Sequence, residues 1–156
     1  MRKGTIISVG RLKIPFWRDG ADYYRRKLRH TWKFKEIQLK DADGGLSVEQ
    51  RRNDESARIS SVLDSLPGIR SVCLDERGET LTSKNLAELI LSCAEQALQP
   101  CFIIGGAYGL TPELLKSAGK TLRLSSMTFT HELARVILWE QLYRADSILR
   151  GTGYHH

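Results

Sequence analysis

Apolar residues along this chain follow two spacings. Short runs at residues 5–9, 71–75, 101–104 and 121–124 have the length and the bounding turn residues of buried strands. A further run, Trp32–Leu39, alternates apolar and polar positions and reads as a strand with one wet face. Between these lie stretches with helical periodicity. Residues 16–29 read as a helix despite Gly20. Residues 47–66 carry their apolar stripe, Ile59, Val62, Leu63 and Leu66, only in the second half, so the polar first half is expected to be exposed or mobile. Residues 85–96, with Ser83 as the expected cap, place Leu86, Leu89, Ile90 and Cys93 on one face. Thr111 and Pro112 supply the capping hydroxyl and first-turn proline of another helix. His131–Arg150 is the longest helical stretch. Strands alternating with helices at this spacing predict an α/β fold: one domain over residues 1–156, with a mostly parallel sheet and helices on both faces.

Two loops then single themselves out. The run 101–104 breaks into Gly105, Gly106, Ala107, Tyr108 and Gly109, and the run 121–124 ends in Ser125, Ser126, Met127, Thr128 and Phe129. In a parallel sheet both loops leave the carboxyl ends of their strands on one edge, where such folds bind ligands. The glycine loop lacks the Lys-Ser/Thr ending of a phosphate-cradling loop. It is not G-x-G-x-x-G, and it follows a late strand. A tight turn needing positive φ would account for the glycines alone; the neighbouring 125–129 loop favours a ligand cleft. Side chains placed at Gly105 or Gly106 are expected to fill that cleft. If the third strand lies beside these two, its end (Leu74, Asp75, Glu76, Arg77, Gly78) joins the same edge. Asp75 and Glu76 are then either ligand-facing acids or caps of their own loop.

The last helix has an odd pattern. Leu133, Ile137, Leu138, Leu142, Ala145, Ile148 and Leu149 spread over roughly half its circumference at about 100° per residue, wider than a helix lying on a sheet needs. Glu140 and Arg144 sit inside that arc. Either they form an i,i+4 ion pair at its edge, or the helix also packs on a second subunit with Trp139 and Tyr143 at the seam. The tail Gly151-Thr152-Gly153-Tyr154-His155-His156 is either a frayed terminus or a source of a phenol and an imidazole. His155 is the residue best suited to proton transfer near neutral pH.

Composition changes this picture little. The charged fraction of 27% and apolar fraction of 41% are ordinary for a globular protein. No apolar run approaches the ~20 residues of a membrane span, and the amino terminus does not read as a signal sequence. The expected address is the cytoplasm. Cys73, Cys93 and Cys101 have no metal-site spacing, no metal is expected, and Cys73 and Cys101 fall in apolar strands as core residues. The net charge of +6 points weakly to a polyanionic partner. Arg25, Arg26, Lys27 and Arg29 beside Tyr23 and Tyr24 suit either a phosphate backbone with some stacking or a solvated helix face.

Together the VG strand, LDERG, IGGxxGL and LSxMTFxHxLxRVxLxEQLYRAxxIxRGxxYH resemble, nearly end to end, the RlmH-type large-subunit ribosomal RNA pseudouridine N3-methyltransferases. These are small members of the SPOUT (α/β-knot) methyltransferases. The resemblance implies a carboxyl-terminal trefoil knot, an exception to the usual rule against knots. It implies S-adenosylmethionine held by Leu74, by the glycine loop at Gly105, Gly106 and Gly109, and by Leu124, Ser125, Ser126, Met127, Thr128 and Phe129. It also implies a homodimer with the knots at its interface, acting on a pseudouridine of 23S rRNA in assembled ribosomes. Arg144, Tyr154 and His155 match positions near the target base. Thr130 stands where relatives often have proline, and threonine can cap the helix instead. The rivals are a methyltransferase for another RNA such as tRNA, or a non-catalytic ribosome-binding protein.

Overall fold

The computed structural model describes residues 1–156. Its elements alternate as the apolar pattern predicts. They are β1 (Arg2–Val9), α1 (Pro15–Leu28), β2 (Trp32–Leu39), α2 (Val48–Asp64), β3 (Ile69–Thr80), α3 (Ser83–Glu95), β4 (Gln99–Ile104), α4 (Pro112–Ser117), β5 (Lys120–Arg123) and α5 (His131–Arg150). All neighbouring strands are parallel, in the order β2-β1-β4-β3-β5. The third strand therefore lies between the two whose loops carry the glycines and the LSSMTF run.

Helices cover both faces. Ile6, Val72, Phe102, Ile104 and Leu122 point towards α1, α3 and α5; Ile7, Val9, Cys73, Cys101 and Ile103 point towards α2 and α4. Cys73 and Cys101 are fully buried, as expected, and burial pushes both thiols up to about 12, so they serve as small apolar core residues.

The helix starts follow their caps. Ser47 and Gln50 form a capping box on α2, and the Thr111 and Thr130 hydroxyls accept from Leu114 N–H and Leu133 N–H. The cap of α3 is Thr82, not Ser83. The Thr82 hydroxyl accepts from Asn85 N–H while the Asn85 side chain accepts from Thr82 N–H, a reciprocal box that Ser83, one residue later, cannot close.

Helix α5 runs antiparallel to the strands and fixes both ends of the sheet. Near its start the buried Arg135 donates to the carbonyls of Val9 and Gly10, at the carboxyl end of β1. Near its finish the fully buried Asp146 accepts from Arg2, Thr31, Trp32 and Arg150, at the amino ends of β1 and β2. Four donors offset the desolvation of that carboxylate. The wide apolar arc has an internal explanation: α5 lies between α1 and α3, and Val136, Tyr143, Ile148 and Leu149 all pack on the chain's own core. Trp139, expected at a seam between subunits, is buried with its ring 5.0 Å from that of Phe34. Only Leu133 and Ile137 of the arc stay half-buried outside both core clusters.

Candidate active site

Three loops on the carboxyl edge of the sheet enclose a cleft of about 720 Å3. They span residues 74–77, 104–109 and 123–132, and every residue of the expected cofactor set lines the cleft except one. Ser126 is exposed and lies outside the lining, because the turn at 125–127, in which the Ser125 hydroxyl accepts from Met127 N–H, carries it away. Met127 itself is 75% exposed at the mouth of the cleft.

The glycine loop is a tight turn in which Gly109 N–H donates to the Gly106 carbonyl, and only Gly109 has a positive φ, 77°. Gly105 and Gly106 answer a different need. A Cβ on Gly105 would lie 2.9 Å from Leu110 Cδ2, and one on Gly106 would lie 2.6 Å from Glu55 Oε2. The Gly106 direction points behind the loop, whereas the Gly105 direction runs into the loop's own turn, 3.1 Å from the Gly109 carbonyl. A larger residue at Gly106 therefore pushes the loop from the rear, a route to damage different from the cleft filling expected from sequence, and one at Gly105 strains the turn itself.

What lies behind the loop is the polar half of α2, and it is not wholly exposed. Ser56 is buried and accepts from Thr111 N–H at 3.1 Å; Glu55 is buried and accepts from Ala42 N–H at 3.1 Å. Arg52 donates to the Tyr108 carbonyl at 2.9 Å, and the Arg51 guanidinium lies 5.6 Å over the Tyr108 ring. These contacts satisfy loop backbone that β-pairing cannot reach. Apolar periodicity gives no sign of them, since the buried groups are polar.

The 74–77 loop also exceeds its sequence reading. β3 does not stop at Asp75. Leu122 pairs first with Leu74 and again with Glu79, so residues 75–78 bulge out of the sheet and the strand then resumes. Gly78 lies flat on β5, where a Cβ would meet backbone atoms of Leu122 at 2.5–2.7 Å. Asp75 turns out to hold the bulge. Arg77 donates to both of its carboxylate oxygens, at 2.7 and 3.0 Å, and to the Leu110 carbonyl at 2.9 Å, which ties the bulge to the glycine loop. Burial alone would raise the Asp75 carboxyl, but the hydrogen bonds and charge of Arg77 outweigh it and hold it below the ordinary carboxylate range. Glu76 is exposed and accepts from the Thr128 hydroxyl at 3.0 Å, bridging the 74–77 and 123–132 loops.

The residues expected at the target base lie elsewhere. Arg144 is thirteen residues along α5 from His131, about 20 Å at the helical rise, and the tail turns back so that the Tyr154 hydroxyl meets Glu140, midway along the helix. Arg144 and Tyr154 form their own cluster, and His155 follows with its Nδ1 buried and without a partner. Glu140 accepts from Arg144 at 2.5 and 3.1 Å and from the Tyr154 hydroxyl at 3.2 Å. The guanidinium lies 4.8 Å from the Tyr154 ring centroid, and the Tyr143 ring 4.6 Å from it. Glu140 is braced in turn by Gln141, whose amide carbonyl accepts from Ser83. So the i,i+4 ion pair exists, and the Glu140 hydrogen bond raises Arg144 further above its ordinary value. Burial pushes the Tyr154 phenol well up, with Tyr24 and the Glu140 carboxylate adding to the effect, so at neutral pH that hydroxyl is a donor and not a base. The tail is held as far as Tyr154: Gly151 closes α5 in the left-handed conformation, and Ser147 binds Thr152 and Tyr154.

The basic cluster of α1 ends near this second group, since Thr31 just beyond it donates to Asp146. Arg25 is held by Asp22 and by Glu36, whereas Arg26 and Arg29 are exposed and make no carboxylate contact. No group of three or more His, Cys, Asp or Glu side chains has a metal-site arrangement, and no helix is long and apolar enough to cross a membrane.

The family model described as "Predicted SPOUT methyltransferase" matches residues 2–155. A curated relative named ribosomal RNA large subunit methyltransferase H, from Nitratidesulfovibrio vulgaris (strain Miyazaki F), is 47% identical over 157 residues and covers 100% of both chains. A relative of the same name from Geobacter metallireducens is 38% identical, covering 99% of each chain. Among solved structures, a putative methylase family protein from Neisseria gonorrhoeae superposes with a TM-score of 0.52 at 10% identity, over 97% of this chain and 94% of that one. That likeness shows the fold, and the near end-to-end identities show the kinship. The chain belongs to the SPOUT methyltransferase family.

Proposed function

We propose that this protein is an S-adenosylmethionine-dependent methyltransferase that modifies N3 of a pseudouridine in the 23S RNA of the large ribosomal subunit, acting on assembled ribosomes in the cytoplasm. The observation that carries the reading is the cleft: buried glycine backbone on one side, apolar Leu74, Ile104 and Leu124 on another, and a volume suited to a cofactor of this size. Leu74, the 105–109 turn and residues 124–129 would hold S-adenosylmethionine, chiefly through backbone groups, and Ser126 is the one member of the expected set without a place in that contact. When bound there, the cofactor supplies the methyl group. Support for the ribosomal substrate comes from the relatives named as large-subunit rRNA methyltransferases.

The rest of the chemistry falls to the chain itself. The imide N–H of a pseudouridine must lose its proton before the nitrogen attacks well, so a base and a cation beside the resulting anion are needed. His155 is the candidate base and Arg144 the candidate cation. The raised phenol of Tyr154 suits it to hydrogen-bond donation or stacking on the base. Arg144 and Tyr154 gather on Glu140, midway along α5 and about 14 Å at the helical rise from His131 in the cleft lining, so one chain does not bring both cluster and cleft to one base. A homodimer resolves this: the tail of one subunit enters at the cleft of the other, with half-buried Leu133 and Ile137 available to the contact. Arg26 and Arg29, near the tail, would hold RNA phosphates, with Arg25 contributing less because two carboxylates already engage it. The trefoil knot of the family fits the routing, since the chain leaves the edge strand β5 and must cross the ends of β3 and β4 to reach its place between α1 and α3.

Calorimetry with S-adenosylmethionine, together with mass spectrometry of rRNA nucleosides from cells lacking the gene, tests the proposal. Cofactor binding with loss of N3-methylpseudouridine is expected. Unchanged N3-methylpseudouridine removes the substrate assignment, and an absence of cofactor binding removes the enzyme.

A further inference from the structure

The end of α5 contains a hydroxyl that the helix does not need. Gly151 N–H donates to the Ile148 carbonyl and Thr152 N–H donates to the Ser147 carbonyl, which completes a glycine-closed helix terminus from backbone groups alone. Serine within a helix is otherwise a slightly poorer choice than alanine. Yet Ser147 is fully buried, and its hydroxyl is saturated by the segment that follows. It donates to the Thr152 carbonyl at 2.9 Å, lies 2.6 Å from the Thr152 hydroxyl, and accepts from Tyr154 N–H at 3.3 Å. It is thus the side chain that ties the backbone of Tyr154 to the last turn, whereas Glu140 and Arg144 engage only that residue's ring and hydroxyl.

We infer that Ser147 is a positioning residue for the transfer step: its hydroxyl fixes the course of residues 152–154, and so aims Tyr154 and His155. The inference rests on the reading of Tyr154 and His155 as the groups that meet the RNA base. A tail held on a rigid helix by two independent attachments, hydroxyl to backbone at Ser147 and carboxylate to phenol at Glu140, keeps its freedom low before substrate arrives. Orientation is where methyl transfer gains most, because the chemistry needs alignment more than it needs acid or base strength. Ser147 touches neither cleft nor base in this account, and acts only through the tail.

The test compares the full-length dimer with Ser147→Ala, Ser147→Thr and a chain lacking residues 154–156. Ser147→Ala should leave thermal stability and S-adenosylmethionine affinity within about twofold of wild type, since alanine is the better helix former. It should lower kcat by about tenfold with little change in KM for ribosomes, and speed amide exchange at Tyr154. Ser147→Thr keeps the hydroxyl and should recover most of kcat. If Ser147→Ala does not fold, Ser147→Cys, which keeps the size but offers only a weak donor and acceptor, must show the same split between kcat and KM. Wild-type kcat in a folded Ser147→Ala or Ser147→Cys variant, with the truncated chain inactive, overturns the role of Ser147. Full activity in the truncated chain instead overturns the reading of the tail on which it rests.

Discussion

The two ends of α5 belong to regions built on opposite plans. At its start lies the cleft, whose shape comes from backbone: Gly78 pressed on Leu122, Gly106 against Glu55, and the 75–78 bulge tied down by Arg77. At its end lies a cluster of side chains, with Glu140 receiving Arg144 and Tyr154, stacked on a backbone that Ser147 holds. The first region has shape, with His131, Glu76 and Glu132 on its lining. The second has a cation and a phenol, with His155 next in the chain, and none of these lines the cleft. The contrast teaches that binding and chemistry are set apart along α5, by about half its length from His131 to Glu140, so the proposed reaction depends on how two chains meet.

The comparison breaks most readily at the tail. Removing residues 154–156 should lower methyl transfer by about two orders of magnitude or more while S-adenosylmethionine affinity, measured by calorimetry, stays near wild type. Loss of cofactor affinity in that chain would mean that the two regions are not separate. Next in size is Gly106→Val, which should weaken cofactor binding by at least about tenfold by pushing the loop off Glu55. Glu55→Ala in the same chain should restore part of the affinity, because it removes the carboxylate the new side chain meets. No recovery would place the damage in the cleft proper.

Glu140→Gln sharpens the second region. The amide keeps the size but loses the charge that helps raise the Tyr154 phenol, so the Tyr154 titration, followed by ultraviolet difference absorption, should move down towards the ordinary tyrosine range. The same change should lower kcat by several-fold and leave the cofactor Kd alone. The smallest effect is expected on α1. Neutralising Arg26 and Arg29 should flatten the salt dependence of ribosome binding by roughly 0.7–0.9 log units for each phosphate no longer neutralised, with little change in turnover at saturating ribosome. Arg25→Gln should change that slope less than either, because Asp22 and Glu36 already engage its charge.

Apolar spacing revealed the order of elements, the helices on both faces and the edge on which the cleft would form. The Gly105–Gly109 and 124–129 loops were legible because glycine and small polar residues interrupt apolar runs there. The 75–78 bulge was not, because a strand that leaves the sheet and resumes looks in sequence like a strand that has ended. Glu55 and Ser56 were missed for a related reason: they are buried to serve loop N–H groups, and nothing in a period of 3.6 marks a polar residue for burial. Thr82 was passed over for its neighbour Ser83, a one-residue error that only the reciprocal Asn85 contact resolves. The width of the apolar arc on α5 misled in the other direction. It reflects packing between α1 and α3 within one chain, and the case for a dimer rests instead on the distance between cleft and tail.

The central claim, that the cleft of one chain works with the tail of another, is tested most directly by mixing two inactive proteins. One carries Gly106→Val with its tail intact; the other has a normal cleft but lacks residues 154–156. Each is first shown to be a dimer by light scattering, and the two are then unfolded and refolded together. In a two-fold dimer, half of the mixed molecules pair unlike chains and each such pair holds one complete site, so methyl transfer should return to roughly a quarter of the wild-type rate. If the mixture stays as inactive as its components while unlike chains are shown to pair, the site is not shared between subunits and the account is wrong.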